Sequence, residues 1–374
     1  MRRRLAEVAL TRFILHVGDG KCGSSSIQTA LFHARADLRA QGIIYESHHS
    51  SSGNFCLSTL VGGTTRGDDA GQRRIATDTV AAIRAGLATA DHVILSSESF
   101  LRQSPANIMA ILHMITPDIS GIDVIAYVRH PVAMYLSLAQ QAIKASTRFT
   151  SPASYRRPLD EALVRWESCS GVESLTVRLF DRAAMVGGDV VPDFQAILER
   201  LTERTIPLAP VRENQSLSAE QMVALQHYRH HHCLQEQGKE TAGSVALIDC
   251  FERMNRDGLV GTRPVLKARA AALVLRNNRD IMQALSDRYG LTGMAAPAEP
   301  PETDDGQGNW SSIASIMAQV DRQQIDALKR ILPDSKSGSP GRDAAALAQL
   351  MAASPDKAEA IENAVRRYWT DATG

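Results

Sequence analysis

A chain of 374 residues, 44% of them apolar, is long enough for one large α/β domain with an extension, or for two domains. Its 41 basic and 41 acidic residues cancel and aromatics make up only 5%, which argues against a dedicated nucleic-acid binder with a basic excess or base-stacking platforms. Five cysteines (Cys22, Cys56, Cys169, Cys233 and Cys250) without a CxxC pair fit a reducing cytoplasm; the opening MRRRLAEVALTRFIL is broken as a signal peptide by Glu7, Thr11 and Arg12, and no apolar run is long enough to span a membrane.

Residues 13–17, FILHV, read as a buried strand. Ile27, Ala30, Leu31, Ala34 and Leu38 then recur at helical spacing, with Ser24, Ser25 and Ser26 suited to the helix start and Gly42 to a left-handed end. A short strand at 43–45 completes a βαβ unit. Residues 48–72 are rich in Ser, Gly, Thr and Asp and read as loop; a helix is expected over 73–90, and a strand over 92–96 ends in Ser97-Glu98-Ser99. A helix near 105–115 precedes a strand over 122–128, which runs into Arg129-His130-Pro131 and a helix reaching about Ala145. A helix over 158–170, a strand over 175–179 and a helix over 189–203 follow. This alternation predicts an α/β fold with a mostly parallel sheet flanked by helices, and ligands beyond the carboxyl ends of its strands. Beyond about residue 215 only helices are expected: 217–235, 242–255, 264–287, and, after a Pro/Gly/acid-rich linker at 294–309, 310–332 and 342–370. The expected organisation is a domain over 11–290, a linker over 291–309 and a helical C-terminal extension over 310–374, in which no chemistry is visible.

The stretch HVGDGKCGSSSIQ, 16–28, joins the first strand to the first helix. Gly18, Gly20 and Gly23 permit a tight turn with N–H groups aimed inward, and Lys21 and the serines add charge and donors. Such a loop at a helix N-terminus suits phosphate or sulfate. The plainer alternative is a strand-to-helix turn with an exposed lysine. It is not a nucleotide-triphosphate P-loop, because the lysine precedes the last glycine and no Ser/Thr directly follows it to hold magnesium. In VIAYVRHPVAMYLSLAQQAIK, 124–144, Ser137 follows Arg129 by eight residues. Together they can hold a phosphate monoester, the arginine as a fork and the serine as one donor, although a sheet-end arginine and a helix-face serine would look the same.

Taken together and in this order, the two stretches resemble the sulfotransferases that use 3′-phosphoadenosine 5′-phosphosulfate (PAPS), over roughly residues 12–220. ILHVGDGKCGSSSIQTALF looks especially like the bacterial branch, and RENQSLS, 212–218, is similar to a segment that often follows its core. The resemblance implies the P-loop NTPase-like sulfotransferase fold. It implies a 5′-phosphosulfate grip at Gly20, Lys21, Cys22, Gly23, Ser24 and Ser25, and a 3′-phosphate grip at Arg129 and Ser137. Cys22 departs from the usual Ser, Thr or Gly, and Ser26 from the aromatic of cytosolic animal members. The animal small-molecule members place a catalytic histidine after the third strand; this chain has LSSESF there, and glycosaminoglycan members carry a glutamate in a comparable position. Glu98 is therefore the candidate base, with His16 and His130 as alternatives, and Lys21 the second catalytic candidate.

The implied reaction is in-line sulfuryl transfer from PAPS to a hydroxyl or amine, with adenosine 3′,5′-bisphosphate leaving and no metal required. The acceptor is open among small molecules, saccharides, lipids and peptides; the low aromatic content leans against a phenol pocket. No nucleic-acid partner and a cytoplasmic location are expected. A catalytically inactive nucleotide-binding module of the same fold, or a P-loop kinase or NTPase, are the competing readings. His227 and His231 in HYRHHHC are four apart, but Cys233 falls on another face, so a solvated helix surface is preferred to a metal site. Cys22 reads as a small loop filler rather than an acidified thiol, and Arg156-Arg157 as a solvated helix start rather than an anion contact.

Overall fold

The computed structural model describes residues 10–63, 69–211, 216–256, 258, 261–295 and 308–331. These form two compact units, each assembled from separate stretches of chain: among the described residues, one is drawn from 10–130, 158–211 and 280–295, the other from 131–157, 216–279 and 308–331.

The first unit holds five parallel strands: β1 (Thr11–Gly18), β2 (Ile43–Ile44), β3 (His92–Ser96), β4 (Ile119–Val128) and β5 (Val172–Leu179), in the order β2-β3-β1-β4-β5. Period-two alternation divides the residues of β1 between two faces. Phe13, Leu15 and Val17 join Val93, Leu95, Val124 and Ala126 in a core closed by helices α2 (Asp69–Gly86), α3 (Pro105–Ile115), α5 (Leu159–Glu167) and α10 (Arg279–Tyr289). On the other face, α1 (Ser24–Ala40) packs on α6 (Val190–Thr202), and Asp193 and Phe194 of α6 meet Tyr127 and His16 of the sheet. The sheet is thus apolar and covered on both sides, as an all-parallel sheet requires.

Strand order fixes where a ligand can enter. The chain leaves β1 through α1 toward β2 on one side, and leaves β4 toward β5 on the other. The connections diverge between β1 and β4, and in open α/β sheets that divergence opens a crevice at the carboxyl ends. The glycine loop and Arg129 follow the two strands that flank it.

The second unit holds α4 (Pro131–Ala145), α7 (Ala219–His232), α8 (Ala242–Arg256), α9 (Ala268–Asn277), the one-turn α11 (Ile313–Ile316) and α12 (Arg322–Ile331). A capping box of Ser218 and Gln221 starts α7. Fully buried Glu220 receives the N–H groups of Thr262 and Asp321.

Several boundaries differ from expectation. The helix expected over 73–90 runs over Asp69–Gly86, so it begins inside the stretch read as loop, which also contains a 3-10 helix over Phe55–Val61. The segment 264–287 is two helices, because buried Asn278 turns its amide onto the Val274 and Tyr155 carbonyls and interrupts the ladder. The stretch 310–332 likewise divides into α11 and α12. The helix at 342–370, most of the linker at 294–309 and most of RENQSLS lie outside the described residues. Among the described residues, no helix is long and apolar enough to cross a membrane.

Candidate functional site

The loop after β1 is held from beneath by a buried aspartate. Asp19 donates its N–H to the Tyr127 carbonyl of β4 at 2.7 Å, and its Oδ1 accepts the Gly20 N–H at 2.8 Å. Lys21 adopts a left-handed backbone (φ 64) and is exposed, an uncommon conformation for a residue with a side chain. Gly23, also left-handed (φ 77), opens α1; a methyl there would stand 2.7 Å from Val190 Cγ1 and 2.9 Å from Phe180 Cε2, so only glycine fits. Gly23, the residue that leads into this helix, has no side chain with which to cap it. A helix start carries partial positive charge, which favours an anion beside it.

The serines divide. Ser24 is buried and gives its hydroxyl to the Asp19 carbonyl at 3.3 Å, whereas Ser25 is exposed at the helix start. Cys22 is fully buried, in accord with a filler. Glu98, two residues beyond β3, reaches over the loop: a methyl on Gly20 would lie 3.2 Å from its Oε2. Glu98 is itself exposed.

Arg129 follows β4 and donates from Nη1 to the Lys21 carbonyl at 3.2 Å, with its guanidinium 5.5 Å from the centre of the Phe180 ring. Among the described residues no carboxylate pairs with it. Burial lowers its pKa, and the nearby Cys22 only partly opposes this. A half-buried cation without a carboxylate is a poised anion contact. Gly20, Lys21, Cys22, Gly23, Ser24, Ser25, Glu98 and Arg129 are therefore gathered at one end of the sheet. Ser137 belongs to the second unit, half-buried on α4.

Of the alternative bases, His16 is overturned. It is fully buried beneath α6, its Nδ1 shares a hydrogen bond with Ser96 Oγ at 2.8 Å, and its ring stands edge-on to Tyr127 and Phe194. Burial drops its pKa to about 3, so it stays neutral and closed off from solvent inside the fold. His130 is half-buried at the end of β4, and burial lowers its pKa against the opposing charge of Asp181. His227 and His231 lie with ring centres 4.3 Å apart and rings tilted by 56°, and among the described residues no group of three or more metal-ligating side chains exists. Arg156 donates to the Asn277 carbonyl.

Sequence reasoning did not single out Asp19 or Phe180. Phe180 directly follows β5, and strand-end position was the one signal that could have found it. Asp19 carried no signal, since a buried carboxylate runs against expectation in a loop read as an anion grip. Compared with protein-family models, curated proteins and solved structures, the chain matches none.

Proposed function

We propose that this chain is a PAPS-dependent sulfotransferase with the corresponding P-loop-like fold. The observation that carries the reading is the meeting, at the β1/β4 divergence, of a glycine-led helix start with Lys21, of an arginine that has no carboxylate partner among the described residues, and of the Glu98 carboxylate. The donor set fits a nucleotide with two anionic groups: exposed Ser25 and the first-turn N–H groups suit the 5′-phosphate, and Arg129 suits the 3′-phosphate, for which the resemblance also names Ser137. Bound PAPS supplies an activated sulfuryl group; the protein supplies position and charge. The acceptor hydroxyl or amine attacks sulfur in line and its proton passes to Glu98. A new bond to sulfur forms as the bond to the bridging oxygen breaks, and Lys21 neutralises the charge that builds on that oxygen. The scheme calls on no metal, and its acceptor is a small molecule, saccharide or lipid.

Calorimetric titration of the full chain with adenosine 3′,5′-bisphosphate, and in parallel with ATP and magnesium, tests this. Tight binding of the bisphosphate alone is expected. Binding of ATP with magnesium in its place would return the loop to an NTPase.

A further inference from the structure

Glu98 lies in a turn gripped from both sides. Its Cα is 2.9 Å from where a side chain on Gly18 would begin, so its backbone rests on the glycine loop. Its two flanking serines join a chain of neutral hydrogen bonds. Ser97 Oγ and Ser99 Oγ lie 2.8 Å apart, and Ser97 Oγ also accepts the Ser99 N–H at 3.3 Å. Ser99 Oγ meets Ser58 Oγ at 3.1 Å, and Ser58 Oγ accepts Gln103 Nε2 at 2.5 Å. Ser58 is buried in the 3-10 helix over Phe55–Val61, far from Glu98 in sequence. The stretch carrying it is anchored separately: buried Asn54 donates its N–H to the Ser96 carbonyl and accepts the Ser96 N–H on Oδ1, each at 2.8 Å.

None of these groups is charged, and the Ser97 N–H is also held by the His16 carbonyl of β1 at 2.9 Å. Their common effect is on the backbone of 97–99, which aims the Glu98 side chain over Gly20. We propose that Ser58, supported by Gln103, is a positioning residue for Glu98: the 55–61 segment, which falls within the stretch the sequence shows as mostly loop, sets the direction of the base. This rests on the sulfuryl-transfer reading. It assigns no contact with acceptor or nucleotide to Ser58.

The test is a double-mutant cycle on the full chain, with water as acceptor. Release of labelled sulfate from PAPS is measured for wild type, Ser58→Ala, Glu98→Gln and the double variant, alongside the affinity of each for adenosine 3′,5′-bisphosphate. Glu98→Gln should lower turnover about 100-fold, in the range for loss of a general base. Ser58→Ala should lower it about 10-fold with nucleotide affinity unchanged, and should cost less than about 2-fold once Glu98 is already Gln, because coupled groups are not additive. Ser58→Thr, which keeps the hydroxyl, should recover most of the loss. If Ser58→Ala does not fold, Gln103→Met carries the same cycle by removing only the donor to Ser58. Full turnover in the Ser58 and Gln103 variants, or an equal loss in both backgrounds, overturns the inference and leaves the transfer reading standing. A wild-type protein that releases no sulfate above the uncatalysed rate overturns both.

Discussion

Lys21 does two separable things. Its side chain offers the positive charge nearest the loop, and its left-handed backbone shapes the loop. Lys21→Gly keeps the second and removes the first. The relief of a left-handed residue, about 1 kcal/mol, roughly offsets the added chain entropy of glycine, so the melting temperature should hardly move. Sulfate transfer should nevertheless fall about 10²–10³-fold, the range for losing one transition-state contact, and as far as in Lys21→Ala. Turnover retained in the glycine variant would remove Lys21 from the chemistry. Gly20→Ala probes the opposite wall: its methyl would press on the flexible end of Glu98 rather than on backbone, so activity should drop while stability barely changes. His16 makes a prediction in pH. Its folded pKa, about 3, lies below the ordinary 6.5, so the unfolded chain binds the extra proton between those values. Its contribution is complete above about pH 6.5 and is lost as pH falls toward 3, at up to about 1.4 kcal/mol per pH unit. Urea unfolding at pH 5 and pH 7 should show a shallower loss for His16→Asn, whose amide can keep the bond to Ser96.

At the level of elements, type was more legible than boundary. Apolar periodicity marks β1, α1, β3, β4 and α4 because each buries a regular face, and the Gly42 end of α1 is left-handed as its position implied (φ 75). The α9–α10 break was not legible, since no Gly or Pro marks it; a buried asparagine does the work through tertiary partners. The same holds for the end of α4. Arg229, fully buried on α7, donates to the carbonyls of Lys144, Ala145, Glu236 and Lys239. In sequence it is one cation in HYRHHHC, beside histidines that attract more notice. The structure gives it the role of a cap on a helix C-terminus, satisfying carbonyls that α4 cannot satisfy itself. Arg229→Met should cost at least about 3 kcal/mol in thermal or urea unfolding, because several charge-assisted bonds vanish and buried carbonyls lose their donor. A loss under 1 kcal/mol would mean that water replaces the guanidinium.

For the whole molecule, a parallel sheet with both faces covered followed from the alternation of strands and helices, and the strand ends located the loop, Glu98 and Arg129 before any coordinates. What no linear pattern showed is the assembly of each compact unit from separate stretches of chain, including the assignment of α4 to a different unit from β4, which it directly follows. Composition does not resolve where a chain crosses between cores. The formal net charge of zero makes a global field a poor explanation of nucleotide binding, so any affinity must be local, at Lys21, Arg129 and the start of α1. A ligand that binds only the folded chain stabilises it by about 2.7 kcal/mol at a concentration 100 times its Kd. Adenosine 3′,5′-bisphosphate at that concentration should raise the melting temperature by several degrees, while ATP with magnesium leaves it unmoved. Arg129→Ala should abolish most of that rise without much lowering the unliganded melting temperature, because Arg129 makes one long bond, to the Lys21 carbonyl, and a loose contact with the Phe180 ring. An equal rise in wild type and variant would show that the 3′-phosphate is held elsewhere. A large loss of unliganded stability would instead make Arg129 a structural pin of the loop, and the partly desolvated guanidinium would need no anion to explain it.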